Sequence, residues 1–139
     1  MTSNRGKLTG LKRSPYGEEA YDSDLEKYYM VELEGMPGVK SWTKRHNIKI
    51  PYQILFITRN YEPDFLVEFN DGSKEIHETK GIPFLFWLST HLKMESAEQY
   101  CKKLGWKYKF ITNDKAVFYK NNYLNSIKDK IRDTLPNRT

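Results

Sequence analysis

A chain of 139 residues is one domain's length, enough for a real core and too short for two. Hydrophobic residues at 38% and aromatics at 14% exclude a generically disordered chain, while 23 Lys and Arg against 18 Asp and Glu leave a charge of +5 that suits a polyanionic partner without requiring one. The single Cys101 excludes an internal disulfide and a cysteine-built metal site and suits a reducing compartment; no run of about 18 apolar residues offers a spanning helix, and the polar start lacks a leader's apolar core. The expectation is a soluble cytoplasmic protein with no membrane partner. The sequence shows no internal repeat, low-complexity run or glycine-rich phosphate loop.

Residues 1–21 place Arg5, Lys7, Lys12 and Arg13 among Gly, Ser and Pro with no sustained apolar period. They are expected to form a flexible basic arm, either laid along phosphates or simply solvated, ahead of one domain at 22–139. A first helix is predicted over 23–34, capped by the Ser23 hydroxyl and ended by Gly35 and Pro37. Leu25, Tyr28, Tyr29, Leu33 and Met36 recur at spacings of three and four, which predicts a buried stripe with Glu26 beside it. Residues 39–42 and 44–57 read as extended, with Pro51 at a strand end or edge, Ile48 and Ile50 alternating with polar neighbours, and 54–57 as a buried run leading to Arg59 and Tyr61. His46 shows no partner pattern and is expected at the surface. Lys44, Arg45, Lys49 and Arg59 form either a face for a polyanion or an ordinary wet surface.

Residues 61–81 read Tyr-Glu-Pro-Asp-Phe-Leu-Val-Glu-Phe-Asn-Asp-Gly-Ser-Lys-Glu-Ile-His-Glu-Thr-Lys-Gly. Apolar residues alternate with polar ones on both sides of an Asp-Gly turn signal, so two strands, 64–69 and 74–80, form a hairpin. A two-residue loop at Asp71 and Gly72 sets Asp64 opposite Thr79. A three-residue loop, with Gly72 left-handed and a bulge, sets Asp64 opposite Glu78, and this is the arrangement expected. Two carboxylates then stand roughly 4.5 to 5.5 Å apart at Cβ. Lys80 shares the face of Glu78, and His77 and Thr79 take the other. Opposed carboxylates repel unless a cation lies between them; Mg²⁺, which takes one or two carboxylates plus waters and a substrate phosphate, is the expected ion. Lys80 is then placed to orient an attacking water or offset charge on the phosphate. The bland alternative is a solvated hairpin with a surface Glu78–Lys80 pair.

Pro63-Asp64, thirteen intervening residues and Glu78-Thr79-Lys80 resemble the pattern of the PD-(D/E)xK nuclease superfamily. The wording of 63–72 and 78–81 looks most like the Tn7-type transposition endonuclease, the phage Holliday-junction resolving endonuclease and the phage head-completion nucleases, with the nuclease domain of type III restriction enzymes similar. The resemblance implies a restriction-endonuclease-like core and metal-dependent hydrolysis of DNA, leaving 5′-phosphate and 3′-hydroxyl ends. It assigns Asp64, Glu78, Glu26 and Lys80 to catalysis, the three acids also to Mg²⁺, with Mn²⁺ expected to substitute. For Glu26 it rests on Ser23-Asp24-Leu25-Glu26, which is equally a capping box in which the glutamate only reaches back to a backbone amide. Glu19, Asp22 and Glu32 are the fallback acids.

Pro83 suits a helix start, and Phe84, Phe86, Trp87 and Leu88 within 84–91 form core, a protein contact or a base platform. Met94, Ala97, Cys101 and Leu104 line one face of a helix that Gly105 stops. Residues 106–112 and 115–119 read as strands, and the resemblance extends from Ser23 to Thr112. A last helix is expected over 122–135, with Lys128, Lys130 and Arg132 opposite its apolar side. The predicted fold class is α/β, a mixed central sheet of four to five strands flanked by helices. The predicted function is a Mg²⁺-dependent DNA endonuclease, encoded by a phage or mobile element and acting in the host cytoplasm, with DNA as partner and a homodimer as one way to cut both strands. The alternative is a DNA-binding or assembly module that retains the fold without turnover.

Overall fold

A computed structural model describes residues 5–81 and 88–112 in full and the backbone of 117–119. The predicted helix at 122–135 and the apolar residues Phe84, Phe86 and Trp87 lie outside the described residues. In chain order the elements are β1 (Gly6–Leu8), β2 (Glu19–Tyr21), α1 (Asp24–Gly35), β3 (Val39–Thr43), β4 (Ile50–Ile54), β5 (Ile57–Tyr61), β6 (Phe65–Phe69), β7 (Lys74–Lys80), α2 (Leu88–Leu104), β8 (Lys107–Thr112) and β9 (Val117–Tyr119).

The centre is a mixed sheet in the order β3-β6-β7-β8-β9, so the α/β class and the mixed sheet flanked by helices hold. β7 pairs antiparallel with β6 and parallel with β8. Parallel neighbours need a crossover connection, and α2 lies within the one from β7 to β8. Because side chains alternate across a strand, the sheet feeds two cores. Phe65, Val67 and Ile111 pack with Tyr29, Met30 and Leu33 of α1 and with Trp42, whereas Ile76, Tyr108 and Phe110 pack with Met94, Ala97 and Cys101 of α2. The β4–β5 hairpin is a separate sheet whose Ile50 and Tyr52 join the α2 side.

The hairpin of β6 and β7 has the three-residue loop expected. Glu68 pairs with Lys74 and Phe65 with His77, and the Phe69 amide donates to the Ser73 carbonyl at 2.9 Å. Gly72 sits at φ +86 and donates to the Phe69 carbonyl at 2.9 Å; Asp71 Oδ1 accepts from the Ser73 amide at 2.9 Å and its hydroxyl at 2.6 Å. A side chain at position 72 would strain that φ. The register therefore carries through to Asp64 opposite Glu78.

Helix α1 starts where the sequence places it. The Ser23 hydroxyl accepts from the Glu26 amide at 3.1 Å. Removing that acceptor with Ser23→Ala is expected to cost about 1 kcal/mol, seen as a lowered midpoint in denaturant unfolding at unchanged slope. The buried stripe is rotated from the one expected: Tyr29, Met30 and Leu33 are buried, and Leu25 and Tyr28 are only half-buried. Glu26 is three residues before Tyr29 and four before Met30, so it stands on the sheet-facing stripe. At the other helix, Gly105 at φ +72 closes a Schellman end, its amide on the Lys102 carbonyl at 3.3 Å and the Trp106 amide on Cys101 at 2.8 Å. Leu104, expected on the buried face, is exposed; Thr90 joins Met94, Ala97 and Cys101 there.

Residues 5–21, expected within a flexible basic arm, carry β1 and β2 and are joined to the rest of the fold by polar contacts rather than by an apolar period. β1 pairs with β2, the Arg13 guanidinium donates to the Met36 carbonyl at 3.0 Å and to that of Val39, and the Lys12 and Arg13 amides donate to the Glu34 carboxylate at 2.8 and 3.0 Å. Buried Glu19 accepts from Ser14 and Thr43 hydroxyls at 2.5 and 2.8 Å and from the Lys44 amide at 3.1 Å. Residues 54–57, in turn, are not a buried run: Ile54 pairs with Ile57 across a tight turn, and Leu55, Phe56 and Ile57 are exposed.

Candidate active site

Pro63 has no amide hydrogen, and the ladder between β6 and β7 begins one residue beyond Asp64. At that open end side chains take the place of carbonyls. The Asp64 amide donates to Glu78 Oε1 at 2.9 Å, and Asp64 Oδ2 accepts from the Thr79 amide at 2.9 Å and from its hydroxyl at 2.7 Å. Each carboxylate is thus anchored on the other strand's backbone, which holds both side chains in fixed rotamers. Lys80 Nζ lies 4.0 Å from Glu78 Oε2, on the face expected. Thr79, expected to point away, reaches Asp64 through its hydroxyl.

The segment before Asp64 is held as well. His46, expected at the surface, accepts the Ile48 amide on Nδ1 at 3.0 Å and donates from Nε2 to the Pro63 carbonyl at 2.7 Å. Burial lowers its pKa against the Pro63 bond, consistent with a neutral ring that clamps the turn into Asp64. A cavity of about 210 Å³ opens beside it, lined by Asp22, Lys44, His46 and Asp64 among others.

Burial pushes Asp64 up to about 6, with the Glu26 charge adding to it and the Thr79 bonds and Lys44 opposing. Glu78 is pushed up to about 8 by burial and then by Asp64, against Lys80 and a hydrogen bond from Tyr61. A half-buried and a buried carboxylate, both held above their ordinary range, favour a proton or a cation at the site. Glu26 is electrically part of the group, yet its Oε1 is held by Lys44 Nζ and accepts from the Asp22 amide at 3.4 Å. Among the described residues no group of three or more His, Cys, Asp and Glu side chains is gathered closely enough to hold an ion. Asp64 and Glu78 stand together with Lys80; Glu26 stands at their margin, paired. Of the fallback acids, Glu19 is spent in the hydrogen bonds above, and Asp22 and Glu32 are exposed.

Residues 36–113 match the family model described as TnsA-like endonuclease N terminal, more than half of the chain and including Asp64, Glu78 and Lys80. The chain belongs to this family. The TnsA-like endonuclease domain has a restriction-endonuclease-like fold, so nuclease activity is the class of chemistry that membership brings. The match starts after α1, so Glu26 lies outside it. No curated protein matches the chain.

Three groups at the site of this TnsA-like domain escape a reading of the sequence. Tyr61 hydrogen-bonds Glu78 and stands 3.2 Å from the Tyr108 hydroxyl, and burial raises both phenols well above their ordinary range. Lys93, near the start of α2, places its ammonium 5.7 Å over the Tyr52 ring and 5.8 Å over Tyr61. Burial and then Lys80 lower its pKa, while Glu78 and Asp64 pull it back. The Tyr61 and Tyr108 spacings read as ordinary strand alternation, and Lys93 as a helix surface position; only the tertiary fold brings them to the acids. On the opposite face His77 is spent structurally, as expected of a packed residue: the Tyr29 hydroxyl donates to Nδ1 at 2.6 Å and Nε2 donates to Glu75 at 2.8 Å.

Proposed function

We propose that this TnsA-like domain is a divalent-metal-dependent DNA endonuclease, with Mg²⁺ the working ion and Mn²⁺ a substitute, hydrolysing phosphodiester bonds in duplex or branched DNA. The observation that carries the reading is the pair of half-buried Asp64 and buried Glu78 at the open end of the hairpin with Lys80 4.0 Å from Glu78. A structural hairpin gains nothing from two facing acids largely withdrawn from water, whereas a hard cation is served by them. Bound there by Asp64 and Glu78, the ion would supply Lewis-acid neutralisation of the phosphate and an activated water. Glu26 contributes as a further acid once Lys44 turns to the DNA. Thr79 and Tyr61 keep the two carboxylates aimed, and His46 keeps the Pro63 turn in place. Lys80 orients the attacking water or offsets charge on the scissile phosphate, and Lys93 adds a second cation for the DNA backbone.

A specific observation favours a non-catalytic DNA-binding module instead: Glu26 is already paired with Lys44. Incubating the full chain with linear, nicked, flapped and four-way-junction DNA separates the two. Cleavage with Mg²⁺, lost with EDTA and restored by excess Mg²⁺, is expected, with products that carry 5′-phosphates. DNA binding without cutting on any of these substrates, with either metal, refutes the enzyme reading. A homodimer, cytoplasmic location and phage or mobile-element origin belong to the same proposal; cutting of both strands in one encounter is the measurement that bears on the dimer.

A further inference from the structure

The β4–β5 hairpin ends in side chains that folding does not explain. Ile54 pairs with Ile57, leaving Leu55 and Phe56 as a two-residue loop. Phe56 at 104% and Leu55 at 81% are the two most exposed large apolar side chains among the described residues, and the adjoining Ile57 is exposed as well. Leu55 holds φ +56, positive at the first loop residue, where a tight hairpin ordinarily takes glycine. Glycine followed by a polar residue would serve the turn better on both counts. An apolar pair kept in water at a strained position is a contact surface awaiting its partner.

Charge and continuity name that partner. Residues 48–61 carry Lys49 and Arg59 and no acid; Lys49 pairs at the base with Glu62 at 3.8 Å, and Arg59 is exposed on the outer strand beside Thr58 and Asn60. A two-stranded ribbon of this width fits a DNA groove, and cationic and small polar groups along it suit phosphates. β5 runs from the tip directly to Tyr61 at the Glu78 site, and Asp64 follows three residues later. Four steps at roughly 3.4 Å separate Ile57 from Tyr61 by roughly 14 Å, about four base-pair steps.

We propose that Leu55 and Phe56 form an apolar wedge that enters between adjacent base pairs of DNA held at the Asp64–Glu78 site and unstacks them. Apolar side chains inserted this way pay for unstacking with contacts along the bent duplex, so the wedge selects DNA that opens cheaply: branch points, mismatches and flexible pyrimidine–purine steps. The location of the DNA rests on the endonuclease reading; the unstacking does not require cutting.

The test uses duplex and four-way-junction DNA with 2-aminopurine at successive positions, and the full chain as wild type, Lys80→Ala, and the double variant Leu55→Gly with Phe56→Ser, whose turn is relieved rather than strained. Wild type and Lys80→Ala are expected to raise the fluorescence at one step near a branch. The tip variant is expected to leave it at the free-DNA level and to bind the junction roughly tenfold more weakly, with a melting temperature no lower than that of wild type. Phe56→Tyr, which keeps the ring, should retain the signal. Unstacking without cleavage by wild type supports the wedge and refutes the endonuclease reading. Cleavage with no fluorescence change, or a tip variant that matches wild type, overturns the wedge and leaves the nuclease standing. A tip variant that instead loses self-association in sedimentation, with DNA binding intact, shows the tip to be a protein contact and overturns the wedge.

Discussion

Replacing Lys80 with alanine, or Asp64 with asparagine, is expected to lower the cleavage rate by about 10³-fold or more while leaving DNA binding within about threefold and the fold intact. The two substitutions remove different things. Asp64→Asn keeps an oxygen for the Thr79 amide and hydroxyl, so the anchoring of the hairpin end survives, while the charge that would hold a cation goes. Lys80→Ala leaves both acids and removes the amine 4.0 Å from Glu78. The sign on stability follows from the same electrostatics. Each acid is held above its ordinary range by burial and by its charged neighbour, Glu26 for Asp64 and Asp64 for Glu78, so ionising the pair costs the folded state. Glu78→Gln should therefore raise metal-free stability at pH 8 by about 1 kcal/mol or more while abolishing cleavage, a trade of stability for function read by thermal melting beside a plasmid-nicking assay. Equal loss of stability and activity in all three variants would mean that the hairpin end is structural.

The site was more legible than the molecule around it, for reasons specific to its residues. Asp64, Glu78 and Lys80 belong to one hairpin whose turn is set by Asn70, Asp71 and Gly72, and register propagates along paired strands without help from the rest of the chain. Glu26 sits on another element, and its place depends on which face α1 turns inward; that face is set by Tyr29, Met30 and Leu33 together, a rotation that apolar spacing read through Leu25 and Tyr28 missed. The failure at 54–57 has a different cause. Four apolar residues in a row carry no period, and the fold resolves them as a turn that leaves Leu55 and Phe56 in water. The contacts of the N-terminal residues were not legible because they are polar: Glu19, Glu34 and the Arg13 guanidinium leave no apolar rhythm in the sequence. His46, Tyr61 and Lys93 act at the site only through contacts between distant elements.

The second large effect expected is a coupling between protons and the proposed metal ion. Both acids have folded-state pKa values, about 6 and about 8, above those of ordinary carboxyls near 3.8 and 4.5. A raised folded pKa contributes stability that is fully present below the unfolded value and lost as pH rises through the folded one. Metal-free protein is therefore expected to lose stability between about pH 4 and pH 8 through this pair. His77, whose pKa burial lowers, works in the opposite sense, its stability present above the ordinary histidine range and lost as pH falls. Comparison with Glu78→Gln isolates the alkaline loss, because the histidine is unchanged in the variant. If Asp64 and Glu78 hold Mg²⁺, the ion binds their ionised form and competes with their protons. The rise in melting temperature on adding Mg²⁺ should then grow from pH 5 to pH 8, reach about 5 °C or more at the upper end, and vanish in Asp64→Asn. Cleavage at limiting Mg²⁺ should climb roughly tenfold per pH unit for each proton displaced, and its midpoint should move to lower pH as Mg²⁺ is raised. A magnesium-induced shift that is flat across pH, or that persists in Asp64→Asn, removes the ion from this carboxylate pair, because an ion held by these oxygens must compete with their protons.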